Sequence, residues 1–217
     1  MKLYHYYRSS ASYRVRIALN LKSLPWEGSS VDLRAPASAQ RTPEFLILNP
    51  QGLIPVIADG AHTFTQSLAI IEYLEERHPQ PPLLPGNAPD RAQVRSLALA
   101  VACDIHPLAN LRVLNYLRSS FAADENAVNA WVGEWIGSGF RALEERARRL
   151  SGDGRHMFGS AVTMADVCLV PQMYNARRFH CDLGPFPTLR AIGAHLESLP
   201  AFARAAPEAQ PDAPRAP

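Results

Sequence analysis

The most informative stretch of this chain reads Tyr6-Tyr7-Arg8-Ser9-Ser10-Ala11-Ser12-Tyr13-Arg14-Val15-Arg16-Ile17-Ala18-Leu19. It follows a short apolar strand pattern and runs into a helical pattern, which places a group of hydroxyls at the N-terminus of a helix. A helix N-terminus offers unpaired backbone N–H groups and a partial positive charge, and both favour an anion such as a carboxylate or a thiolate. Ser9, Ser10 or Ser12 can cap the helix, and a spare hydroxyl can donate to a bound thiolate. A plain cap without a ligand explains this stretch equally well.

The size and charge of the chain narrow the class of protein. Its 217 residues suffice for one large domain or two modest ones. The formal net charge is only +2, from 22 basic and 20 acidic side chains, and there is no run of Lys and Arg, so we expect no nucleic-acid partner. The sequence starts on a strand pattern, with neither a signal-peptide core nor an apolar run long enough to span a bilayer. We therefore expect a cytoplasmic protein that does not bind membranes.

The three cysteines, Cys103, Cys168 and Cys181, are widely spaced and form no C-x-x-C motif. We expect them to be reduced, free and mostly buried. Cys103 and His106 fall one helical turn apart beside Asp104, but this group supplies too few ligands at a recognisable spacing. The sequence predicts no metal site.

The first part of the chain alternates between strand and helix patterns. Residues 3–6 and 26–31 read as strands, and residues 54–58 and 63–65 form a hairpin around the turn Asp59-Gly60. Helical patterns cover residues 12–22, 44–48 and 67–77. This order predicts a small open sheet with helices on both faces over residues 1–78.

The composition changes after residue 78. Five prolines between residues 79 and 89 predict a linker, and helical patterns then cover residues 90–120, 124–150, 163–178 and 187–204. We expect an all-helical domain over residues 90–206. Four prolines and several alanines in residues 207–217 predict a flexible tail.

Two further features can hold a ligand, and each has a purely structural alternative. Ile54-Pro55 precedes a strand, and a cis bond there would turn the N–H and C=O of Ile54 outward toward a peptide-like ligand; an ordinary trans proline is the commoner case. Gln66-Ser67 lies at a second strand-to-helix junction, where a helix N-terminus can hold a carboxylate or simply be capped. Thr163-Met164-Ala165-Asp166 fits a capping box, which we interpret as structural.

These residues together resemble the zeta class of the glutathione transferases, over essentially the whole chain. The class pattern S-S-C-S-x-R-V-R-I-A corresponds to Ser9–Ala18, and the segments Gln66–Glu76 and Thr163–Asp166 also match. Cys103–Pro107, Ala176–Phe179 and Ala209–Asp212 are similar to the bacterial maleylpyruvate branch. The resemblance implies an α/β thioredoxin-like N-terminal domain plus an all-α C-terminal domain. It also implies a homodimer in which the first domain of one subunit faces the helical domain of the other.

The resemblance further implies a glutathione-dependent cis–trans isomerase acting on a maleyl keto-diacid, either maleylacetoacetate or maleylpyruvate, in aromatic compound or tyrosine catabolism. Glutathione would be the cofactor and the substrate a small dicarboxylate. Two alternatives stay open. One is a general transferase acting on halogenated acids, and the other is a non-catalytic glutathione-binding protein of the same fold.

Glutathione-binding roles follow from the resemblance residue by residue. Ser9 and Ser10 are the candidate donors to the thiolate, and the sequence does not distinguish which of them faces the sulfur. The resemblance assigns the γ-glutamyl carboxylate to Gln66 and Ser67. It places the cysteinyl group at the backbone of Ile54 beside Pro55, and the glycine end at Gln51. His106 and Asn110 help to hold glutathione, and Asp104 contacts it across the dimer interface.

Three arginines, Arg8, Arg112 and Arg178, match the substrate positions of the maleylpyruvate branch. Guanidinium groups stay charged and bind carboxylates through paired hydrogen bonds, so they suit a dianionic substrate and a developing enolate. A single such arginine is more often a solvated surface residue, but three at the family's substrate positions favour function.

Three other positions in the first helix complete the comparison with the class. Arg14 and Arg16 we interpret as structural or solvent-facing. Ala11 stands where animal members of the class have a cysteine. Because glutathione supplies the sulfur, this change leaves the isomerase chemistry possible, whereas mixed-disulfide chemistry that needs a protein thiol there becomes doubtful.

Overall fold

The computed structural model describes residues 1–34 and 38–214, which form two compact units. The first unit contains Met1–Pro82 and the described residues from Leu199 onward, and the second contains Leu83–Ser198. The predicted fold class, an α/β part followed by a mostly helical part, is confirmed.

A four-stranded mixed sheet forms the centre of the first unit. Its strands are β1 (Lys2–His5), β2 (Glu27–Ser30), β3 (Val56–Asp59) and β4 (His62–Thr65), in the spatial order β2-β1-β3-β4. Strand β1 pairs parallel to β2 and antiparallel to β3, while β3 and β4 form the expected hairpin.

Three helices accompany this sheet: α1 (Ser10–Leu21), α2 (Pro43–Leu48) and α3 (Ser67–Arg77). Leu3 of β1, Ile17 of α1 and Ile71 of α3 are completely buried. The apolar faces of strand and helix therefore supply the core, as the 2- and 3.6-residue periods predicted.

The second unit is helical. It contains α4 (Ala88–Leu99), α5 (Leu111–Phe121), α6 (Glu125–Leu150), α7 (Met164–Arg178) and α8 (Pro187–Ser198). The predicted capping box at the start of α7 is present: the Thr163 side chain accepts the backbone N–H of Asp166, and the Asp166 carboxylate accepts the backbone N–H of Thr163 at 2.7 Å. The Thr163 hydroxyl also donates to this carboxylate at 2.9 Å.

The prediction of one continuous helix over residues 90–120 is wrong. A π-helical segment (Ala100–Ile105) and a 3₁₀ turn (His106–Ala109) separate α4 from α5. Pro107 has no backbone N–H to continue an α-helix. The Asn110 side chain then accepts a hydrogen bond from the N–H of Arg112 at 3.1 Å and starts a new helix.

The last segment differs from the prediction in two ways. Helix α9 (Pro200–Ala205) begins at a proline that ends the predicted helix 187–204, and it packs with α1 in the first unit instead of the helical domain. Phe202 is completely buried, and the side-chain amide of Asn20 donates to the carbonyl of Ala201 at 2.9 Å.

The flexible tail predicted from residue 207 onward is also wrong for the described residues. Pro207–Ala209 form a 3₁₀ turn, and both Pro207 and Gln210 are buried. The Gln210 amide donates to the carbonyls of Arg204 and Ala206, both at 2.9 Å, and these bonds fix the chain after α9. Residues 215–217 of the predicted tail lie outside the described residues.

The predicted linker over residues 79–89 is held at both ends. Lys22 donates to the carbonyls of His78 and Pro81 at 2.6 and 2.9 Å, which ties the first half to the first unit. Leu83 and Leu84 are buried in the second unit, and α4 already begins at Ala88. The boundary between the units thus falls between residues 82 and 83.

The helical run Ala88–Phe121 is long and apolar enough, by length and composition alone, to cross a membrane. This is weak support for a membrane span, because helices of soluble proteins pass the same test. The run includes the π and 3₁₀ interruption, and it carries six charged side chains: Asp90, Arg91, Arg95, Asp104, Arg112 and Arg118. Charged side chains are costly in a bilayer. The absence of a membrane-spanning segment stays a prediction.

Candidate functional site

The turn between β1 and α1 presents a serine hydroxyl at the N-terminus of a helix. Ser9 is the N-cap of α1, and its Oγ accepts the N–H of Ser12 at 3.2 Å. This bond uses only the acceptor capacity of the hydroxyl, so its O–H group can still donate. The backbone N–H of Ser9 donates to the carbonyl of Tyr6 at 3.0 Å, which closes the turn. The cap is therefore confirmed, and it is compatible with donation to a thiolate.

The neighbouring hydroxyls are less accessible than that of Ser9. Ser10 is buried and occupies the first helical position. Ser12 is completely buried. Of these three predicted hydroxyls, only Ser9 is partly exposed. Arg8 precedes the cap and is exposed, with its guanidinium 5.9 Å from the ring centre of Tyr7.

The start of α3 brings two of the predicted glutathione-binding residues together. The Gln66 amide donates to Oε1 of Gln51 at 3.0 Å. Gln66 itself has φ +67°, a left-handed backbone conformation that is uncommon for a residue other than glycine. Such residues cluster at ligand-binding sites, where the surrounding structure holds them in place. Next to it, Ser67 is buried and its Oγ accepts from Arg14 at 3.2 Å.

The Ile54-Pro55 peptide bond is cis, the rarer of the two states considered for it. The loop before it is fixed by Asn49, whose side chain donates to the carbonyl of Leu53 at 2.7 Å and accepts the N–H of Gln51 at 3.1 Å. Among residues 1–34 and 38–214, neither the N–H nor the C=O of Ile54 has a hydrogen-bond partner. Pro55 is buried.

Arg14 and Arg16 are both almost completely buried, which supports the structural alternative and makes the solvent-facing one wrong. Arg16 donates from Nη2 to the carbonyl of Tyr7 at 2.8 Å, from Nη1 to that of Tyr6 at 3.4 Å, and from Nε to that of Ala205 at 3.0 Å. Its Nη1 also lies 3.5 Å from Nδ1 of His5.

Burial and the Arg16 charge lower the pKa of His5 to about 4, although Asp212 opposes this shift. An imidazole with this pKa is neutral at pH 7. Since a guanidinium can only donate, the neutral ring accepts from it at Nδ1.

The second unit carries the remaining predicted residues. Asp104 and Arg112 are exposed, while His106 and Asn110 are half-buried, and all four lie on the short stretch from the π segment to the start of α5. Gly139 of α6 allows a close approach to this stretch, because a Cβ there would lie only 2.3 Å from two side-chain carbons of Ile105. Arg178 ends α7, is exposed, and stacks 4.4 Å from the ring centre of Phe179.

Asp212 contacts the turn before Ser9, and this contact was not predicted from the sequence. Its Oδ2 accepts the backbone N–H of Tyr7 at 2.9 Å. The only signal was its place in the segment Ala209–Asp212, which resembles the maleylpyruvate branch.

None of the three cysteines, all within the described residues, forms a disulfide, but Cys103 is exposed, contrary to the expectation of buried cysteines. In the described part of the chain no group of three or more His, Cys, Asp or Glu side chains could hold a metal ion. The absence of a metal stays a prediction.

Residues 3–82 match the family described as glutathione S-transferase, N-terminal domain. The chain is 51% identical to a maleylpyruvate isomerase from a Ralstonia species, over 98% of this chain and 99% of the relative.

Two solved structures share the fold over nearly the full length. One is the holo structure of a maleyl pyruvate isomerase, described as a bacterial zeta-class glutathione S-transferase, with a TM-score of 0.95, 50% identity and coverage of 99% of this chain and 100% of that one. The other is a maleylacetoacetate isomerase from Methylobacterium extorquens AM1 with bound malonate and glutathione, with a TM-score of 0.94, 41% identity and the same coverage.

The thioredoxin-like unit with its serine cap, the helical unit and these full-length matches agree, and the chain belongs to the zeta-class glutathione transferases of the maleylacetoacetate and maleylpyruvate isomerase family.

Proposed function

We propose that this protein is a glutathione-dependent cis–trans isomerase of a maleyl keto-diacid, with maleylpyruvate or maleylacetoacetate as substrate. The observation that carries the proposal is the Ser9 cap, which leaves a hydroxyl proton available at the N-terminus of α1. A thiol has a pKa near ~8.5, and a helix N-terminus with a hydroxyl donor lowers it toward neutral pH. Bound glutathione can then react as the thiolate.

In this mechanism the nucleophile is the thiolate of glutathione and not a side chain of the protein. Its sulfur adds to one alkene carbon, and the electron pair of the double bond moves into the conjugated carbonyl to give an enolate. The former double bond is now single and can rotate. Collapse of the enolate then expels the thiolate and forms the trans alkene, so the cofactor is regenerated and no net electron transfer occurs.

We assign glutathione binding in the first unit to three places. Gln66 and Ser67, at the N-terminus of α3, hold the γ-glutamyl carboxylate. The N–H and C=O of Ile54, next to Pro55, pair with the cysteinyl group. Gln51, already bonded to Gln66, binds the glycine end.

In the second unit we assign His106 and Asn110 to glutathione as well. We propose that the protein is a cytoplasmic homodimer, in which Asp104 of the partner subunit also contacts glutathione. Large apolar side chains left exposed, such as Ile47 at 83% and Phe121 at 68%, are consistent with further protein contacts.

We assign substrate binding to Arg8, Arg112 and Arg178. All three guanidiniums are exposed in their own units and can bind carboxylates through paired hydrogen bonds. The malonate bound by the Methylobacterium relative is a small dicarboxylate, which supports an anionic substrate over an apolar electrophile.

The test is retention on immobilised glutathione, followed by ultraviolet assays of maleylpyruvate and maleylacetoacetate side by side. We expect retention and turnover that depends on added glutathione. Arg8→Ala and Arg178→Ala should each lower kcat/KM for the dianion about 10-fold or more, because a charge-assisted bond worth ~1.5–3 kcal/mol is lost.

Arg148→Ala is the matched control, since this arginine is also exposed on a helix but has no assigned role. It should leave the kinetics unchanged. Retention without turnover of either substrate would contradict the isomerase, and wild-type kinetics in both arginine variants would remove those residues from the site.

A further inference from the structure

The end of the described chain reaches back to the turn that carries Ser9. Oδ2 of Asp212 accepts two hydrogen bonds at 2.9 Å, from the backbone N–H of Tyr7 and from the hydroxyl of Ser30. Tyr7 lies two residues before the α1 cap. The side-chain oxygen of Asp212 therefore fixes the backbone immediately before Ser9 by accepting a hydrogen bond.

The other backbone polar group of Tyr7, its carbonyl, is also held. Nη2 of Arg16 donates to the carbonyl of Tyr7 at 2.8 Å, and Nε of the same guanidinium donates to the carbonyl of Ala205 at 3.0 Å. The N–H and the C=O of Tyr7 thus both depend on contacts that involve the segment from α9 onward. With these two groups fixed, the turn has little freedom to shift the Ser9 hydroxyl.

The segment that carries Asp212 is itself well anchored. Gln210 is 7% exposed and bonds back to the carbonyls of Arg204 and Ala206, and the N–H of Ala213 donates to the carbonyl of Gln210 at 3.0 Å. The carboxylate is therefore presented by an ordered turn, as a supporting contact for a catalytic group requires.

We propose that Asp212 is a positioning residue for the glutathione thiolate: it locks the Tyr7 backbone and thereby holds the Ser9 hydroxyl and the N-terminus of α1 toward the sulfur. The assignment rests on the proposed function, and Asp212 acts through Ser9 without touching the substrate. Loss of the Tyr7 bond should let the turn move, and small misplacement of a catalytic group has large kinetic effects.

Three substitutions separate the hydrogen bond from the charge. Asp212→Ala removes both. Asp212→Glu keeps the charge but displaces the acceptor oxygen. Asp212→Asn keeps an acceptor oxygen on a side chain of the same length, without the charge. Ser30→Ala removes only the other donor and serves as the matched control. The readouts are the KM for glutathione and the pH titration of bound thiolate by its ultraviolet absorbance.

We expect Asp212→Ala and Asp212→Glu to raise the KM for glutathione about 10-fold, and to move the thiolate titration upward by about one pH unit. Asp212→Asn and Ser30→Ala should stay close to the wild type. If Asp212→Ala does not fold, the Glu and Asn variants still decide between the outcomes.

A role limited to stability would lower the thermal midpoint of the variants while the titration and KM of the folded protein stayed at wild-type values, and that result overturns the proposal.

Hydrogen exchange gives a check that does not depend on glutathione. The amides of residues 7–9 should exchange about 10-fold faster in Asp212→Glu than in Asp212→Asn. Equal exchange overturns the proposal, whereas a wild type that binds no glutathione contradicts only the proposed function.

Discussion

At the scale of single residues, the sequence located the hydroxyl cluster but could not distinguish among its members. The pattern that predicts the start of the helix does not distinguish among Ser9, Ser10 and Ser12. Their difference lies in the turn geometry, which makes Ser9 the cap and buries the other two. That geometry depends on contacts from Asp212 and Arg16 that no local pattern shows.

The Ser9 assignment gives a testable difference between two neighbouring serines. Ser9→Gly should raise the pH at which bound glutathione ionises by about one unit, since the hydroxyl donor is lost. Glycine is a suitable substitution because a glycine cap costs only a few tenths of a kcal/mol. The titration of thiolate absorbance measures the effect.

Ser10→Ala is the paired variant and should shift the same titration much less. A larger shift in Ser10→Ala than in Ser9→Gly would reverse the assignment. It would identify the buried serine as the donor to the sulfur.

At the scale of elements, local chemistry predicted most of the secondary structure of the first unit. Helix α3 covers Ser67–Arg77 as predicted, and the predicted hairpin forms, although its turn lies one residue later than predicted, at Gly60-Ala61. The predictions failed where a helical pattern continued across Pro107 or Pro200, because apolar periodicity there concealed a break. They also failed after residue 206, where the partners that order the segment are distant in sequence.

The ion pair between α1 and α3 tests how strongly these elements depend on buried charge. Nζ of Lys22 is completely buried and donates to Glu75 at 2.7 Å, and to two carbonyls besides. Lys22→Met should lower the free energy of unfolding by about 3–5 kcal/mol, because it leaves the Glu75 carboxylate buried without this cation. Urea unfolding gives the measurement.

Lys2→Met provides the control, since Lys2 and Glu27 form an exposed pair at 3.8 Å. It should cost less than about 1 kcal/mol. The double variant Lys22→Met/Glu75→Leu should be more stable than Lys22→Met alone, and a double variant that is less stable would disprove this account of the pair.

At the scale of the whole molecule, the change in composition predicted the division into an α/β part and a helical part. The family resemblance predicted the fold of each part. The described end of the chain differs from this division, because it belongs to the first unit. Helical periodicity alone cannot say which unit a helix packs against. The hydrogen bonds of Arg16 to Ala205 and of Asn20 to Ala201 decide this, and they join residues nearly two hundred positions apart.

The buried His5 makes overall stability depend on pH in a defined window. Its folded pKa of about 4 lies below the unfolded value of 6.5, so the unfolded chain binds more protons between these values. The contribution of His5 is complete above pH 6.5 and is lost as the pH falls toward 4, by up to about 3 kcal/mol.

His5→Asn, which keeps an acceptor for Arg16, should reduce this loss. Urea unfolding of both proteins at pH 7 and pH 4.5 measures the difference, and the charged groups that act on the ring are Arg16 and Asp212. An identical loss in both proteins would show that His5 does not titrate in this window.

The discontinuity of the first unit affects how the protein is synthesised. Chains leave the ribosome from the N-terminus at roughly 5–20 residues per second, and domains generally fold as units. Residues 83–198 are therefore complete while the first unit still lacks α9 and Asp212. During that interval the nascent α1 lacks the Ala205 contact of Arg16, and the Tyr7 amide lacks the Asp212 carboxylate. The contacts of the turn before Ser9 are therefore completed only when the final segment is translated.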